Sequence, residues 1–97
     1  MSDHIVSDLT EMIRSSFDRN ETIDLASLLW SIDAKHRLIP EVNEINSALS
    51  SISKYKITRN ENQVYLTNEE SEFIENITKN DIEVAMARYN SVIAGKL

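Results

Sequence analysis

Apolar residues in the first half of the chain recur at helical spacing between short polar interruptions. One such stripe covers about 5–17, which is typical of an amphipathic helix with one buried face. After a polar interruption, Asp24 suits the N-cap of a second, short helix that ends near Asp33. Pro40 suits the first position of a third helix over about 40–53, because its missing N–H would be unpaired there. The pattern predicts three N-terminal helices.

The pattern then changes to period two. Apolar and polar residues alternate from Tyr55 to Arg59 and again from Val64 to Thr67, on either side of a turn-rich centre. Alternation of this kind around a turn is typical of a β-hairpin. We therefore expect one hairpin after the third helix.

Two possible capping boxes follow the hairpin. Thr67 with Glu70 predicts a fourth helix, because each side chain would satisfy a free N–H of the other residue. Thr78 with Asp81 offers a second start, so we expect a break near Lys79 rather than one long helix. The apolar face of the fourth helix would consist of Phe73, Ile74 and Ile77. The only glycine of the chain, Gly95, suits the C-cap of the last helix.

The order of three helices, a hairpin and one or two C-terminal helices is that of a winged-helix domain. We expect a mainly α fold with a small β-hairpin, that is, an α+β fold, in one domain over 1–97. The helix-turn-helix and the wing would occupy about 22–67, and the C-terminal helices about 68–95. The third helix would be the recognition helix.

The stretch from Leu25 to Thr67 also resembles a group of small bacterial winged-helix-like proteins of unassigned function. The residues that carry this resemblance are Asp33, Pro40, Glu44, Ile45, Leu49 and the run Val64-Tyr65-Leu66-Thr67. His36 lies one position earlier than the histidine expected after the aspartate. The resemblance implies a fold and not a reaction.

The composition of the chain limits which partners and which cellular compartment we expect. Sixteen acidic and ten basic residues give a net charge of -6, which disfavours nucleic acid. The absence of cysteine excludes disulfides and thiolate chemistry. The first nine residues include Asp3 and Asp8 and lack a basic region before an apolar run, so we expect no signal peptide. Apolar runs are far shorter than the roughly 20 residues that span a bilayer. We expect a cytoplasmic protein with no membrane association.

The charge pattern of the predicted recognition helix bears on DNA binding. Its exposed positions carry Glu41 and Glu44 with asparagine and serine, and no cation appears before Lys54. DNA-binding helices of this type use basic and amide side chains against bases and phosphates. Lys54, Lys56 and Arg59 at the start of the wing could still hold phosphates. DNA binding through these residues is therefore the alternative function.

Metal binding and catalysis have weaker support. His36 with Asp33, Glu41 and Glu44 could gather a divalent metal, but the spacing matches no ligand motif and favours capping or surface roles. The chain also lacks a glycine-rich loop and a nucleophile elbow. We expect no enzyme, no catalytic or metal-binding residues, no cofactor and no small-molecule substrate.

The aromatic and apolar residues outside the main stripes suggest self-association. Trp30 lies off the stripe of the second helix, so it either seals the junction with the C-terminal helices, which we favour, or lies on an association surface. Met86, Tyr89, Val92 and Ile93 give the last helix a broader apolar face than a small domain easily buries. A dimer through the terminal helices follows as a hypothesis.

Three functional hypotheses result. A non-catalytic protein-interaction or regulatory module on a winged-helix frame, with a protein partner or a homodimer, is the first. A DNA-binding transcriptional regulator that uses the third helix and the wing is the alternative. An enzyme is the third, and the sequence offers it the least support.

Overall fold

The computed structural model describes residues 3–71 and 75–95. The elements in chain order are α1 (Asp3–Asp18), β1 (Ile23–Asp24), α2 (Leu25–His36), α3 (Val42–Leu49), β2 (Lys56–Arg59), β3 (Val64–Thr67) and α4 (Lys79–Gly95). The predicted α+β class is confirmed, and the arrangement is compatible with a winged-helix-like fold. None of the helices in the described part is long and apolar enough to cross a membrane.

The strands form a three-stranded antiparallel sheet in the order β1-β3-β2. Leu66 in the central strand pairs with Ile23 on one side and with Ile57 on the other, and all three side chains are buried. The predicted hairpin of β2 and β3 is confirmed. Strand β1 was not predicted, because two residues are too few to show a period.

The core lies where α1, α2 and α3 meet the sheet and α4. The predicted stripe of α1 is buried, and this helix packs against α2 and α3, while α2 packs against α4. The buried residues of that stripe are Ile5, Leu9, Ile13 and Phe17. Burial of one face explains why the first helix was predicted correctly.

Helix α2 begins as predicted and ends later. The Asp24 carboxylate accepts a hydrogen bond from the Ala26 N–H at 2.9 Å, as an N-cap should. The helix continues to His36, so the predicted end near Asp33 is wrong. Arg37 closes it in the left-handed region, with φ 58°, and its N–H donates to the Asp33 carbonyl at 2.7 Å.

Helix α3 is shorter at both ends than predicted. Glu41 is its N-cap, and the Glu41 N–H donates to the Glu44 carboxylate at 2.8 Å. Pro40 is buried outside the helix, so its predicted place at the first helical position is wrong. The helix ends at Leu49, because the chain tightens there into turns such as the Ile52 N–H to Leu49 carbonyl bond of 2.9 Å.

The predicted fourth helix is wrong in the part of it that the structure describes. Thr67 donates its hydroxyl proton to Glu69 at 3.0 Å instead of capping a helix, and residues 68–71 and 75–78 are not helical. Phe73 and Ile74 lie outside the described residues. The second capping box is confirmed: the Thr78 N–H donates to Asp81 at 2.9 Å and the Asp81 N–H to Thr78 at 3.2 Å. The predicted break is therefore the start of α4.

The segment before α4 is bound to α3 through one amide side chain. The Asn46 side-chain nitrogen donates to the Ile77 carbonyl at 2.9 Å, and the Asn46 oxygen accepts from the Ile77 N–H at 2.8 Å. Ile77 itself is buried. The asparagine thus replaces the hydrogen bonds that a helix would have given this residue.

The same segment covers the outer edge of β2. The Ile57 N–H, which faces away from the sheet, donates to the Glu75 carboxylate at 2.7 Å, and the Tyr55 hydroxyl donates to the Glu75 carbonyl. Unpaired N–H groups on an edge strand are a template for pairing with another chain. Glu75 blocks this edge without adding a strand.

We predict that Asn46→Ala lowers the free energy of unfolding by about 1–3 kcal/mol, because it leaves the backbone groups of Ile77 without partners. Urea unfolding followed by circular dichroism measures the change. Asn43→Ala is the matched control, since Asn43 lies exposed on the same helix. Equal losses in the two variants would contradict the role given to Asn46.

Candidate functional site

The three cations that would contact nucleic acid under the alternative function fall into two groups. Arg59 at the end of β2 points its guanidinium at α4, with Nε 2.8 Å from Asp81 Oδ1 and Nη2 2.9 Å from Oδ2. Nη2 also donates to the Asn76 carbonyl at 3.2 Å. The ion pair is bidentate, so the Arg59 guanidinium is engaged by a residue of the same chain.

Lys54 and Lys56 remain at the surface. Both are exposed, and no ion pair or side-chain hydrogen bond links either ammonium to another residue of the described part. Lys54 lies two residues before β2 and Lys56 is the first residue of β2, so both lie at the base of the hairpin. The structure thus leaves two of the three predicted cations available to an external partner.

Asp81 is the one buried charged side chain among the described residues, with 2% of its surface exposed. Burial raises the pKa of its carboxyl. The hydrogen bonds from Arg59 and from the Thr78 N–H lower this pKa by more than burial raises it, so the net pKa lies below the usual 3.8. The Asp81 carboxylate in turn raises the pKa of Arg59. Both groups are held in their charged forms.

The exposed face of α3 has few side chains that could contact DNA bases or phosphates. Glu44 is occupied in the capping box and Asn46 binds Ile77. Asn43 is the exposed amide on this helix, and the other exposed side chains are Glu41 and serines. No residue of α3 is basic.

Five residues were considered for a self-association surface, and the structure divides them. Trp30 on α2 has 51% of its surface exposed, so the interpretation that it seals the junction with the C-terminal helix is wrong. Met86 and Tyr89 are half-buried and pack against the core. The side chains of Val92 and Ile93 lie outside the described part. Exposed apolar surface is therefore found on α2 instead of the described part of α4.

Tyr89 connects α4 to α2 near Trp30. Its hydroxyl donates to Asp33 Oδ2 at 2.9 Å, and Asp33 lies one helical turn after Trp30. This hydrogen bond to the carboxylate raises the pKa of the Tyr89 hydroxyl. Asp33, for which the sequence favoured a capping or surface role, thus connects α2 to α4.

A second cluster that the sequence did not reveal lies at the start of α2. Asp24 Oδ2 accepts from Arg88 Nε at 2.6 Å, in addition to the N-cap bond of Oδ1. The Gln63 amide lies between the Tyr65 hydroxyl and Arg88, and with its oxygen toward the guanidinium it accepts from Nη2 at 2.9 Å. Asp24 and Arg88 are 64 positions apart, and no local pattern signals such a pair.

The residues considered for metal binding separate in the structure. His36 Nε2 lies 2.7 Å from Asp8 Oδ2 on α1, and Lys35 Nζ lies 3.0 Å from the same oxygen. These two bonds lower the pKa of Asp8. Glu41 and Glu44 belong to the cap of α3. Across residues 3–71 and 75–95, no group of three or more histidines and carboxylates is placed to hold a metal ion.

All but one of the ion pairs among the described residues connect different helices and strands; the exception is the pair of Arg19 with Glu21, which is local. Asp8 joins α1 to α2, Asp24 joins α2 to α4, and Asp81 joins α4 to the hairpin. Comparison with protein-family models, with curated proteins and with solved structures gives no significant match for this chain. The geometry of the surface alone therefore carries the functional argument.

We predict that Asp81→Asn lowers the free energy of unfolding by about 1–3 kcal/mol at neutral pH, because the half-exposed Arg59 loses its charged partner. The folded-state pKa of Asp81 is below its unfolded value of 3.8. The contribution of the carboxylate is therefore complete above that value and is lost as the pH falls through the folded-state pKa.

Urea unfolding of both proteins as a function of pH measures this difference. The gap between wild type and Asp81→Asn should narrow in acid. Glu83→Gln, an exposed carboxylate on the same helix, is the control and should change little. A gap that stays constant down to the lowest pH would show that Asp81 does not act through its charge.

Proposed function

We propose that the protein is a non-catalytic protein-interaction or regulatory module built on a winged-helix frame, and that it binds a protein partner or a second copy of itself. The order α1-β1-α2-α3-β2-β3-α4, with β1 beside β3, supports this frame. In it, α3 is the recognition helix and the hairpin is the wing.

The exposure of Trp30 carries the proposal. Within the described residues, Trp30 and Leu38 are the large apolar side chains that are exposed, and both belong to α2 or follow it directly. Tryptophan at a protein surface is enriched at interfaces, because a large rigid ring buries much area at little entropic cost. A partner that covers α2 would remove this surface from water.

The charge distribution supports a protein partner over a nucleic acid. The chain carries a net charge of -6, α3 contributes no cation, and Arg59 is occupied by Asp81. Affinity for duplex DNA depends on several phosphate contacts by free cations. The proposed winged-helix frame therefore offers few of the free cations that binding to DNA requires.

DNA binding is the second candidate function, and one observation favours it. Lys54 and Lys56 are exposed at the base of the wing, where a duplex held by α3 would approach. Two such contacts give weak binding that depends strongly on salt. In this alternative, the protein would be a transcriptional regulator.

An enzymatic role is the least supported. Several half-buried titratable groups of the described part bind each other across elements, as in Asp8 with His36 and Tyr89 with Asp33. A general base or nucleophile instead faces a pocket where a substrate can reach it. We accordingly propose no catalytic residue, cofactor or small-molecule substrate.

We predict that the protein forms no complex with a mixed-sequence DNA duplex at about 50 mM salt. Size exclusion with light scattering, with and without the duplex, gives the mass of each species. A complex that dissociates steeply with added salt would overturn the proposal in favour of the DNA-binding alternative.

If a complex with the duplex forms, the double variant Lys54→Ala/Lys56→Ala tests whether it depends on the wing. Loss of the complex in this variant would assign it to the wing. Arg59 is left unchanged, because its replacement would break the ion pair with Asp81 and confuse folding with binding.

A further inference from the structure

A pocket lies where the end of α3, the turn before β2 and the segment after β3 come together. Its volume is about 400 Å³, which is within the roughly 300–1,000 Å³ of sites that hold small molecules. Residues of the stretch 49–55 form one side, and Glu70 and Glu75 belong to the other. The two sides meet where the Tyr55 hydroxyl donates to the Glu75 carbonyl. Segments that are distant along the chain therefore build this pocket.

Apolar side chains form the floor of the pocket. Leu49 is buried, and Ile52 and Tyr55 are half-buried and pack against the hydrophobic core. Burial and the nearby Glu75 carboxylate raise the pKa of the Tyr55 hydroxyl, so this side chain is neutral at pH 7. An apolar group of a ligand that lies on this floor would leave water.

The rim of the pocket carries free charges of both signs. Lys54 and Glu70 are exposed, and neither forms an ion pair or a side-chain hydrogen bond with any residue of the described part. Glu75 adds a second carboxylate, whose Oε2 accepts the Ile57 N–H at 2.7 Å. The pocket thus offers an ammonium from one side and a carboxylate from the other, above an apolar floor.

We propose that this pocket binds a zwitterionic small molecule, namely an α-amino acid with an apolar side chain. The carboxylate of the ligand pairs with Lys54 and its ammonium pairs with Glu70. The apolar side chain of the ligand covers Ile52 and Tyr55. This inference goes beyond the proposed function, because it gives an interaction module a small effector that is not a substrate.

The two signs of charge favour a zwitterion over other small ligands. An anion such as phosphate would be attracted by Lys54 but repelled by Glu70 and Glu75. A simple amine would be attracted by the carboxylates but repelled by Lys54. A zwitterion matches both sides at once, and the mismatched charge excludes the other two classes.

Titration of isotope-labelled protein with L-leucine and with L-phenylalanine, followed by amide NMR shifts, tests the site. We expect a dissociation constant of about 0.1–1 mM for at least one of them, because each has about ten non-hydrogen atoms. Saturable shifts should concentrate at Ser53, Lys54 and Tyr55, which line the pocket. The absence of saturable shifts there, up to about 20 mM of either amino acid, would overturn the proposal.

Analogues that lack one charge test the class of ligand. Isopentylamine and isocaproate are leucine without its carboxylate and without its ammonium, and phenethylamine and hydrocinnamate are the same analogues of phenylalanine. Each analogue should bind at least about threefold more weakly than its amino acid, because one charged side chain of the rim stays unpaired. Equal binding of the three compounds would show a merely apolar pocket and would contradict the zwitterion.

Variants test the residues. Lys54→Ala should remove the preference for the amino acid over the amine, and Glu70→Gln the preference over the carboxylic acid. Lys79→Ala and Glu83→Gln are the matched controls, because both residues are exposed and do not line the pocket. Circular dichroism checks that all four variants are folded. An equal loss of binding in Lys54→Ala and Lys79→Ala would reduce the effect to net charge and overturn the assignment.

The outcomes separate this inference from the proposed function. A protein that binds neither amino acid and forms no complex with DNA overturns the ligand and leaves the interaction module in place. A complex with the duplex that depends on Lys54 and Lys56 overturns the proposed function, whether or not an amino acid binds. The titration with amino acids is therefore carried out without DNA.

Discussion

The ion pair between Arg59 and Asp81 determines where the C-terminal helix lies. A carboxylate that is 2% exposed is costly unless cations or N–H groups surround it, and here a guanidinium from the hairpin and the Thr78 N–H do so. Asp81 belongs to the first turn of α4, whereas Arg59 ends β2. The pair therefore fixes the start of this helix beside the hairpin, and residues 75–78 cross from one to the other without forming a helix.

The remainder of α4 is held on α2 by two further polar contacts. Asp24 combines the N-cap of α2 with the bond to Arg88, and Asp33 near the other end of α2 accepts from Tyr89. Each of these two carboxylates on α2 thus accepts a hydrogen bond from a side chain of α4. Trp30 on the same helix has 51% of its surface exposed, so the contacts that hold α4 on α2 leave this ring uncovered.

The functional proposals follow from which polar groups the fold uses internally. Arg59 and Asn46 are residue types that contact phosphates and bases in nucleic-acid complexes. Here they bind Asp81 and the backbone of Ile77. The two lysines at the base of the hairpin, Lys54 and Lys56, retain this capacity. A fold does not by itself specify a function, because function depends on the groups that remain exposed.

The sequence by itself determined α1, the hairpin and the start of α4, because a half-buried helix, a half-buried strand and a capping box each leave a local pattern. The tertiary structure alone decided β1, whose two residues form a strand because β3 lies beside them. It also decided the partner of Arg59, which lies 22 positions away. The exposure of Trp30 likewise became visible only in the folded chain, because burial depends on long-range contacts, and such contacts have no period along the sequence.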